Sequence, residues 1–234
     1  MVDMHTHVLH NIDDGPATLK ESVHLLEALE KSGVTDVVAT SHCYSESTPI
    51  DEFFSRNTRR LAELRKALTE SGINVNVHFG AEVNIDQTLL NYNSLNDLCF
   101  ENTNYILLEI PQTFFKEEAF RLLDKVASYY LLKPIIAHVE RYDYLRNAKA
   151  LVKLKEMGCI TQLDAHCVLG RSICNKNFAF KMIRLGLIDV IASDCHDLEL
   201  RKPNIDLAYN VIEKKLGKET VLKLKENALK LIGK

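Results

Sequence analysis

The chain has no tryptophan, only 9 glycines and 5 prolines in 234 residues, and no apolar run near the roughly 20 residues needed to cross a bilayer. With so little glycine and proline there is no linker-like or low-complexity segment, and the composition excludes a disordered or collagen-like chain. An excess of one charge is missing too: 29 Lys and Arg stand against 32 Asp and Glu, a formal net charge of −3. Such a chain has no general attraction for nucleic acid. The six cysteines (Cys43, Cys99, Cys159, Cys167, Cys174 and Cys195) form no C-x-x-C pair. A chain this long needs no disulfide to make a core, so reduced thiols are expected. Met1-Val2-Asp3-Met4-His5 has no basic segment leading into an apolar stretch, and the expected location is the cytoplasm.

What is present is 46% hydrophobic residues in a regular alternation. Short β-branched or apolar runs at 2–5, 34–40, 75–82, 105–110, 134–138, 159–164 and 188–194 predict seven parallel strands. Between them apolar residues recur at helical spacing, as at Leu19, Val23, Leu26 and Leu29, or Leu61, Leu64 and Leu68. Pro16-Ala17-Thr18, Thr48-Pro49 or Asp51, and Lys116-Glu117-Glu118 signal helix starts, while Gly33, Gly72, Gly158 and Gly186 mark helix stops. Residues 85–104 read as a short helix and an irregular connection, and 206–216 and 218–231 as two closing helices. One domain over residues 1–234 is expected.

The alternation suits either an open doubly wound sheet or a closed barrel. A nucleotide-binding sheet needs a glycine-rich turn after its first strand, and here that turn is His5-Thr6-His7-Val8-Leu9-His10. His5 and His7, two apart on an extended run, share a side and can grip one ion. Nearly every other predicted strand also ends in a metal-ligand residue type: His42, Glu82, Glu109, His138, and Asp194 with His196. Asp14, in the loop after the first strand, makes nine. A closed barrel brings all these strand ends to one face. Five imidazoles and four carboxylates crowded there as free groups would be costly, and bound cations remove that cost. Mixed His and carboxylate ligands point to manganese, iron, zinc or magnesium, and nine of them suit two or three divalent ions, an arrangement fit for phosphoester hydrolysis. His24 and His78 read as lying outside the site, and His10 and His166 as groups supporting it.

The runs Asp3-Met4-His5-Thr6-His7, Ile12-Asp13-Asp14-Gly15-Pro16, Ala39-Thr40-Ser41-His42, Gly80-Ala81-Glu82, Leu108-Glu109, His138-Val139-Glu140-Arg141 and Ala192-Ser193-Asp194-Cys195-His196 span residues 3–203 with their flanks. Together they resemble the PHP (polymerase and histidinol phosphatase) superfamily, and within it the bacterial capsule-type, metal-dependent protein-tyrosine phosphatases. The resemblance implies a distorted (β/α)₇ TIM-like barrel and a trinuclear centre held by His5, His7, Asp14, His42, Glu82, Glu109, His138, Asp194 and His196. It further implies that Arg141 meets the phosphoryl group, and that the substrate is phosphotyrosine on the tail of a tyrosine kinase of exopolysaccharide synthesis. Where the family pattern reads Gln-x-Asn-Ala-Gly-Ser, this chain has Gln162-Leu163-Asp164-Ala165-His166-Cys167.

The reaction expected is attack on phosphorus by a metal-bound hydroxide, with Arg141 on the non-bridging oxygens and His10, His166 or Asp164 protonating the leaving group. Cys195 and Arg201 also fit the Cys, five residues, Arg spacing of cysteine-dependent phosphatases. That loop, however, has no glycine and two acidic residues, which speaks against a thiol mechanism. Rival functions are a small-metabolite phosphatase of the histidinol-phosphate type, a metal-dependent nuclease and a non-catalytic metal-binding scaffold. The nuclease is disfavoured because loops 43–55 and 84–104, expected at the mouth, carry no basic group. Tyr44, Phe53 and Phe54 offer aromatic groups for a phosphotyrosine ring, the two phenylalanines fitting a helix core better. A homo-oligomer is compatible with the sequence, which does not fix its size.

Overall fold

The computed structural model describes residues 1–171 and 176–234, and Cys174 lies outside the described residues. In chain order the elements are β1 (Val2–Thr6), α1 (Leu19–Lys31), β2 (Asp36–Ala39), β3 (His42–Cys43), α2 (Ile50–Ser71), β4 (Asn76–Phe79), β5 (Glu82–Asn84) and β6 (Tyr105–Glu109). There follow α3 (Lys116–Tyr130), β7 (Lys133–Ile136), α4 (Ala148–Glu156), β8 (Ile160–Asp164), α5 (Ala165–Val168), α6 (Lys176–Arg184), β9 (Val190–Ala192), α7 (Ile205–Leu216) and α8 (Lys218–Leu231). All strand pairs are parallel, in the orders β1-β2-β4 and β3-β5-β6-β7-β8-β9. The sheet curls until the segment after β9 meets β1: Thr6 bridges Cys195, the His7 amide donates to the Cys195 carbonyl at 2.9 Å, and the Asp194 amide to the His5 carbonyl at 3.0 Å.

Two predicted strands are interrupted. The run 34–40 gives β2, which stops at Ala39, and a separate β3 follows past Thr40 and Ser41; the run 75–82 gives β4, broken at Gly80 and Ala81, with β5 starting at Glu82. The cause at Thr40 is its hydroxyl, which accepts from the Thr6 amide at 3.0 Å and donates to the Thr6 carbonyl at 3.2 Å, so a side chain takes over the ladder. Pairing resumes beyond the break through the amides of Gly80, to Ala39, and Glu82, to Ser41, both at 3.1 Å. At Gly80 a Cβ would lie 2.6 Å from Val38 Cγ1 and 2.9 Å from the Phe100 ring, so the interior packs directly on its backbone.

β1 carries one more residue between Asp3 and Thr6 than β2 does between their partners Val37 and Ala39. This bulge re-aims the strand. Below it Val2 and Met4 join the inner apolar cluster with Val38, Leu107, Ile135 and Ala192, while His5 and His7 reach the polar end. A larger apolar cluster fills the space between sheet and helices, as the amphipathic helical spacing requires.

Thr18 and Glu21 form the capping box that starts α1, Pro49 precedes α2, and Lys116 opens α3, close to the predicted signals. The predicted closing helices are α7 and α8. Residues 85–104 differ from expectation, holding two 3₁₀ turns, Gln87–Asn91 and Asn96–Leu98, in place of one short helix. The five described cysteines are all buried, Cys43, Cys99, Cys159 and Cys195 as free thiols, and no described helix is long and apolar enough to cross a membrane.

Candidate metal centre

The strand ends converge as the spacing of ligand types predicts. Three overlapping groups each place one ligand atom per residue within 4.8 Å of the others: His7, Asp14, His42 and His196; His5, His7, Glu82 and Asp194; and His42, Glu82 and Glu109. His138 joins them through Nε2, 2.8 Å from Glu82 Oε1 and 3.5 Å from Glu109 Oε1. All nine residues singled out from the sequence are thus gathered at one end of the sheet, with Glu82, His42 and His7 each shared between two groups. His138 (φ 32°) and Asp194 (φ 53°) hold left-handed backbone just after β7 and β9, which turns both inward off their strands.

Outer partners orient the imidazoles. Nδ1 of His5 faces Gln162 Oε1 at 3.2 Å, that of His7 faces Asp13 Oδ2 at 2.8 Å, that of His138 faces the Tyr142 hydroxyl at 3.3 Å, and that of His196 faces the Asp194 carbonyl at 3.0 Å. These partners select the tautomer that leaves Nε2 free to ligate. His42 is the exception, with Nδ1 3.0 Å from Glu82 and its amide donating to Asp13. Gln162 does more than hold His5: its oxygen also accepts from the His138 amide at 2.8 Å, and its nitrogen donates to Asp164 at 2.9 Å.

The electrostatics suit divalent cations. Glu82 Oε2, Asp194 Oδ1, His42 Nδ1 and His196 Nε2 are buried and have no hydrogen bond of acceptable geometry, although Glu82 Oε2 lies 3.0–3.3 Å from nitrogens of three histidines. Burial alone would raise the Glu82 carboxyl, but His5 and its neighbours hold it well below the usual range. Glu109 goes the other way, raised by burial and by the Glu82 charge. Burial opposes a charged His5, yet Glu82 and Asp194 lift it to about 9. A buried mixed set of nitrogen and carboxylate donors with unmatched atoms aimed at shared points fits two or three hard or borderline ions.

Arg141 reaches the same end, donating to Asp164 at 2.9 Å and to Asp194. Burial works against its charge, but Asp164 and Asp194 keep it firmly protonated. Asp164 is buried between Gln162 and Arg141. His166 sits on α5 beside Asn204, 3.0 Å away, and burial lowers its pKa. His10 is not brought into the cluster: its ring faces Glu63 at 3.1 Å and Arg60 at 3.3 Å on α2. Phe53 is core and Phe54 packs edge-on against Phe79, but Tyr44 is exposed and stacks on His42 with centroids 5.6 Å apart. His24 lies exposed on α1, and His78 pairs with Asp36 at 3.1 Å.

Sequence reasoning missed four contributors: Asp13, Gln162, Tyr142 and Arg201. Asp13 lies inside a motif singled out above, and Arg201 ends the cysteine-type spacing, where its guanidinium instead joins Asp14 at 3.0 Å to Asp194 at 2.8 Å. Gln162 and Tyr142 have no signal in spacing alone. Cys195 is wholly buried, and burial with the nearby Asp3 pushes its thiol well above the ordinary range. The amides of Glu199, Leu200 and Arg201 donate to Asp197 Oδ1 at 2.6, 2.6 and 3.2 Å, so a carboxylate fills the place a phosphate would need.

Over residues 1–233 the chain matches the capsular polysaccharide synthesis family CpsB/CapC. It is 31% identical over 229 residues to the tyrosine-protein phosphatase CpsB of Streptococcus agalactiae, a match covering 94% of this chain and 92% of that protein. It is 30% identical over 240 residues to the tyrosine-protein phosphatase YwqE of Bacillus subtilis, covering 97% and 90%. A crystal structure from a set of YwqE of Bacillus subtilis and CpsB of Streptococcus pneumoniae, described as unique metal-dependent tyrosine phosphatases, covers 100% of this chain and 94% of its own with a TM-score of 0.86 and 28% identity.

Proposed function

This chain belongs to the CpsB/CapC family of capsular polysaccharide synthesis, and from that we infer that it is a metal-dependent protein-tyrosine phosphatase. The observation that carries the reading is the set of three overlapping ligand groups built from nine strand-end residues. His5, His7, Asp14, His42, Glu82, Glu109, His138, Asp194 and His196 would hold two or three ions, manganese first among manganese, iron, zinc and magnesium. Divalent ions bound there supply Lewis acidity and lower the pKa of water to near neutrality. The fold is read as a distorted seven-stranded barrel in one domain over 1–234, with β2 and β3, and β4 and β5, each counted as one interrupted strand. The Thr6–Cys195 bridge supports that closure.

The chain's own groups divide the remaining work. Arg141 and Arg201, both tied to Asp194, present planar guanidinium forks beside the ligand groups, suited to the non-bridging oxygens of a phosphoryl group. Asp164 holds Arg141 from the other side. Tyr44, stacked on His42 at the rim, offers an aromatic face to a phenyl ring. A phenolate of pKa about 10 leaves with little help, which matches a His166 whose burial keeps it neutral and a His10 tied to α2.

The substrate proposed is phosphotyrosine on the tail of a tyrosine kinase of exopolysaccharide synthesis, supported by the family and by the names of the relatives. The test compares a phosphotyrosine peptide with histidinol phosphate on protein purified without chelator, before and after EDTA. The expected result is faster peptide hydrolysis, abolished by EDTA and restored by Mn²⁺. A faster rate on histidinol phosphate would overturn the tyrosine assignment, and activity surviving EDTA would overturn the metal assignment.

A further inference from the structure

Away from the metal centre, charge is concentrated once more. A cavity of about 540 Å³ opens between α4, the start of β9, and the α7–α8 turn, and a second of about 530 Å³ opens between α5, α6 and α7. They adjoin at Arg184 and Lys215, which line both, as two parts of one grooved surface. Its cations are Lys155, Lys176, Lys181, Arg184, Lys215 and Lys223, and among the described lining residues the single acid is Asp189. Asp189 is already occupied: one oxygen takes Lys155 Nζ at 2.5 Å, and the other accepts from the Thr161 amide and hydroxyl, both at 3.0 Å. The five other cations have no ion-pair partner among the described residues.

In a chain of net charge −3 this is a local reversal of sign. It is not a plain solvated face either, because Ile183, Leu224, Phe180 and Val211 line the same groove and give it an apolar component. A cationic wall over an apolar floor matches a polypeptide that is acidic and carries some apolar or aromatic side chains. The groove also leads somewhere: it runs from the start of β9 to Val168 and Leu169, and α5 begins at the residue after Asp164, the partner of Arg141.

We propose that the groove lined by Lys181, Arg184 and Lys215 is a docking site for an acidic polypeptide segment, and that it holds the phosphoprotein substrate remote from the phosphotyrosine. This rests on the phosphatase reading for its role, but the binding itself can be measured without turnover. Docking of this kind lowers KM for a protein substrate and leaves a small aryl phosphate unaffected, because the groove does not touch the reacting group. Being electrostatic, it weakens as salt is added.

The probe is a fluorescein-labelled random copolymer of glutamate and tyrosine, unphosphorylated for binding by anisotropy and tyrosine-phosphorylated for kinetics, with phenyl phosphate as the small substrate. The triple variant Lys181→Glu/Arg184→Glu/Lys215→Glu is expected to weaken copolymer binding by about tenfold or more and raise KM for the phosphorylated copolymer in step, with phenyl phosphate hydrolysis unchanged. A control that reverses three exposed lysines elsewhere, Lys20, Lys66 and Lys230, is expected to leave both largely intact. An equal loss in the control, tighter binding of phosphatidylglycerol vesicles or single-stranded oligonucleotide than of copolymer, or unchanged copolymer binding in the triple variant would each overturn the proposal. Failure to hydrolyse phenyl phosphate at all would instead count against the phosphatase reading, leaving the binding result to stand or fall separately.

Discussion

The metal centre and the basic groove both concentrate charge, and they handle it in opposite ways. At the centre, five imidazoles and four carboxylates face one another, mostly buried, with nitrogens and oxygens interleaved and the rings held from behind. In the groove, cations stand on helix surfaces in contact with water, and all but Lys155 lack an ion-pair partner among the described residues. Buried charge has to be matched group by group, because desolvation penalises any excess. Exposed charge does not, so it can be left unmatched as an attraction for something outside the molecule. The first arrangement makes a site sensitive to single atoms, and the second makes one sensitive to totals.

The most severe way to test that contrast is to remove one shared atom. Glu82→Gln, whose lost charge serves two ligand groups, is expected to cut bound metal and phosphatase activity by more than the roughly 100-fold that marks the upper end for outer partners. Elemental analysis alongside kinetics checks it, and a variant with full metal content would break the comparison. Next comes an outer partner. Gln162→Leu deprives His5 Nδ1 and the His138 amide of their common acceptor, and metal affinity is expected to fall by about 10- to 100-fold. Gln162→Glu keeps an acceptor but loses the donor to Asp164, so the damage is expected to shift from metal content toward KM, through Arg141.

A smaller effect is read by pH. Burial opposes a charged His5, but Glu82 and Asp194 raise its pKa to about 9 when no ion is bound, above its ordinary value. Its ion pairs then stabilise the metal-free protein fully below about pH 6.5 and are lost as pH rises through about 9. The Tm of EDTA-treated protein is expected to fall across that window, and that of manganese-loaded protein to stay nearly level. Equal behaviour of the two would show that the cluster is not balanced as described. Least of all, Cys195→Ser is expected to leave most activity in a folded protein, since the thiol is buried in the core with a pKa well above the ordinary range.

What was legible in the sequence follows the same divide. The nine strand-end residues could be read because strand periodicity fixes which end a residue occupies and a closed sheet gathers those ends. Gln162 and Tyr142 could not, because glutamine and tyrosine are ordinary at such positions and become supporting groups only through neighbours 157 positions away, as in His5 with Gln162, or four, as in His138 with Tyr142. His10 illustrates the reverse error: it follows the first motif closely in sequence, but its ring turns to Glu63 on α2. The groove was also invisible, since its cations come from α4, α6, α7 and α8 and form no run.

Gly80 lies beside all this without offering any chemistry of its own. Val38 and Phe100 occupy the space where a Cβ would go, two residues ahead of Glu82. Any side chain there must push the end of that strand and carry the Glu82 carboxylate away from its histidines. In a mutational screen scored by turnover, position 80 would therefore rank beside the metal ligands themselves, and only a measurement of shape, not of reactivity, would reveal that its role is to leave room.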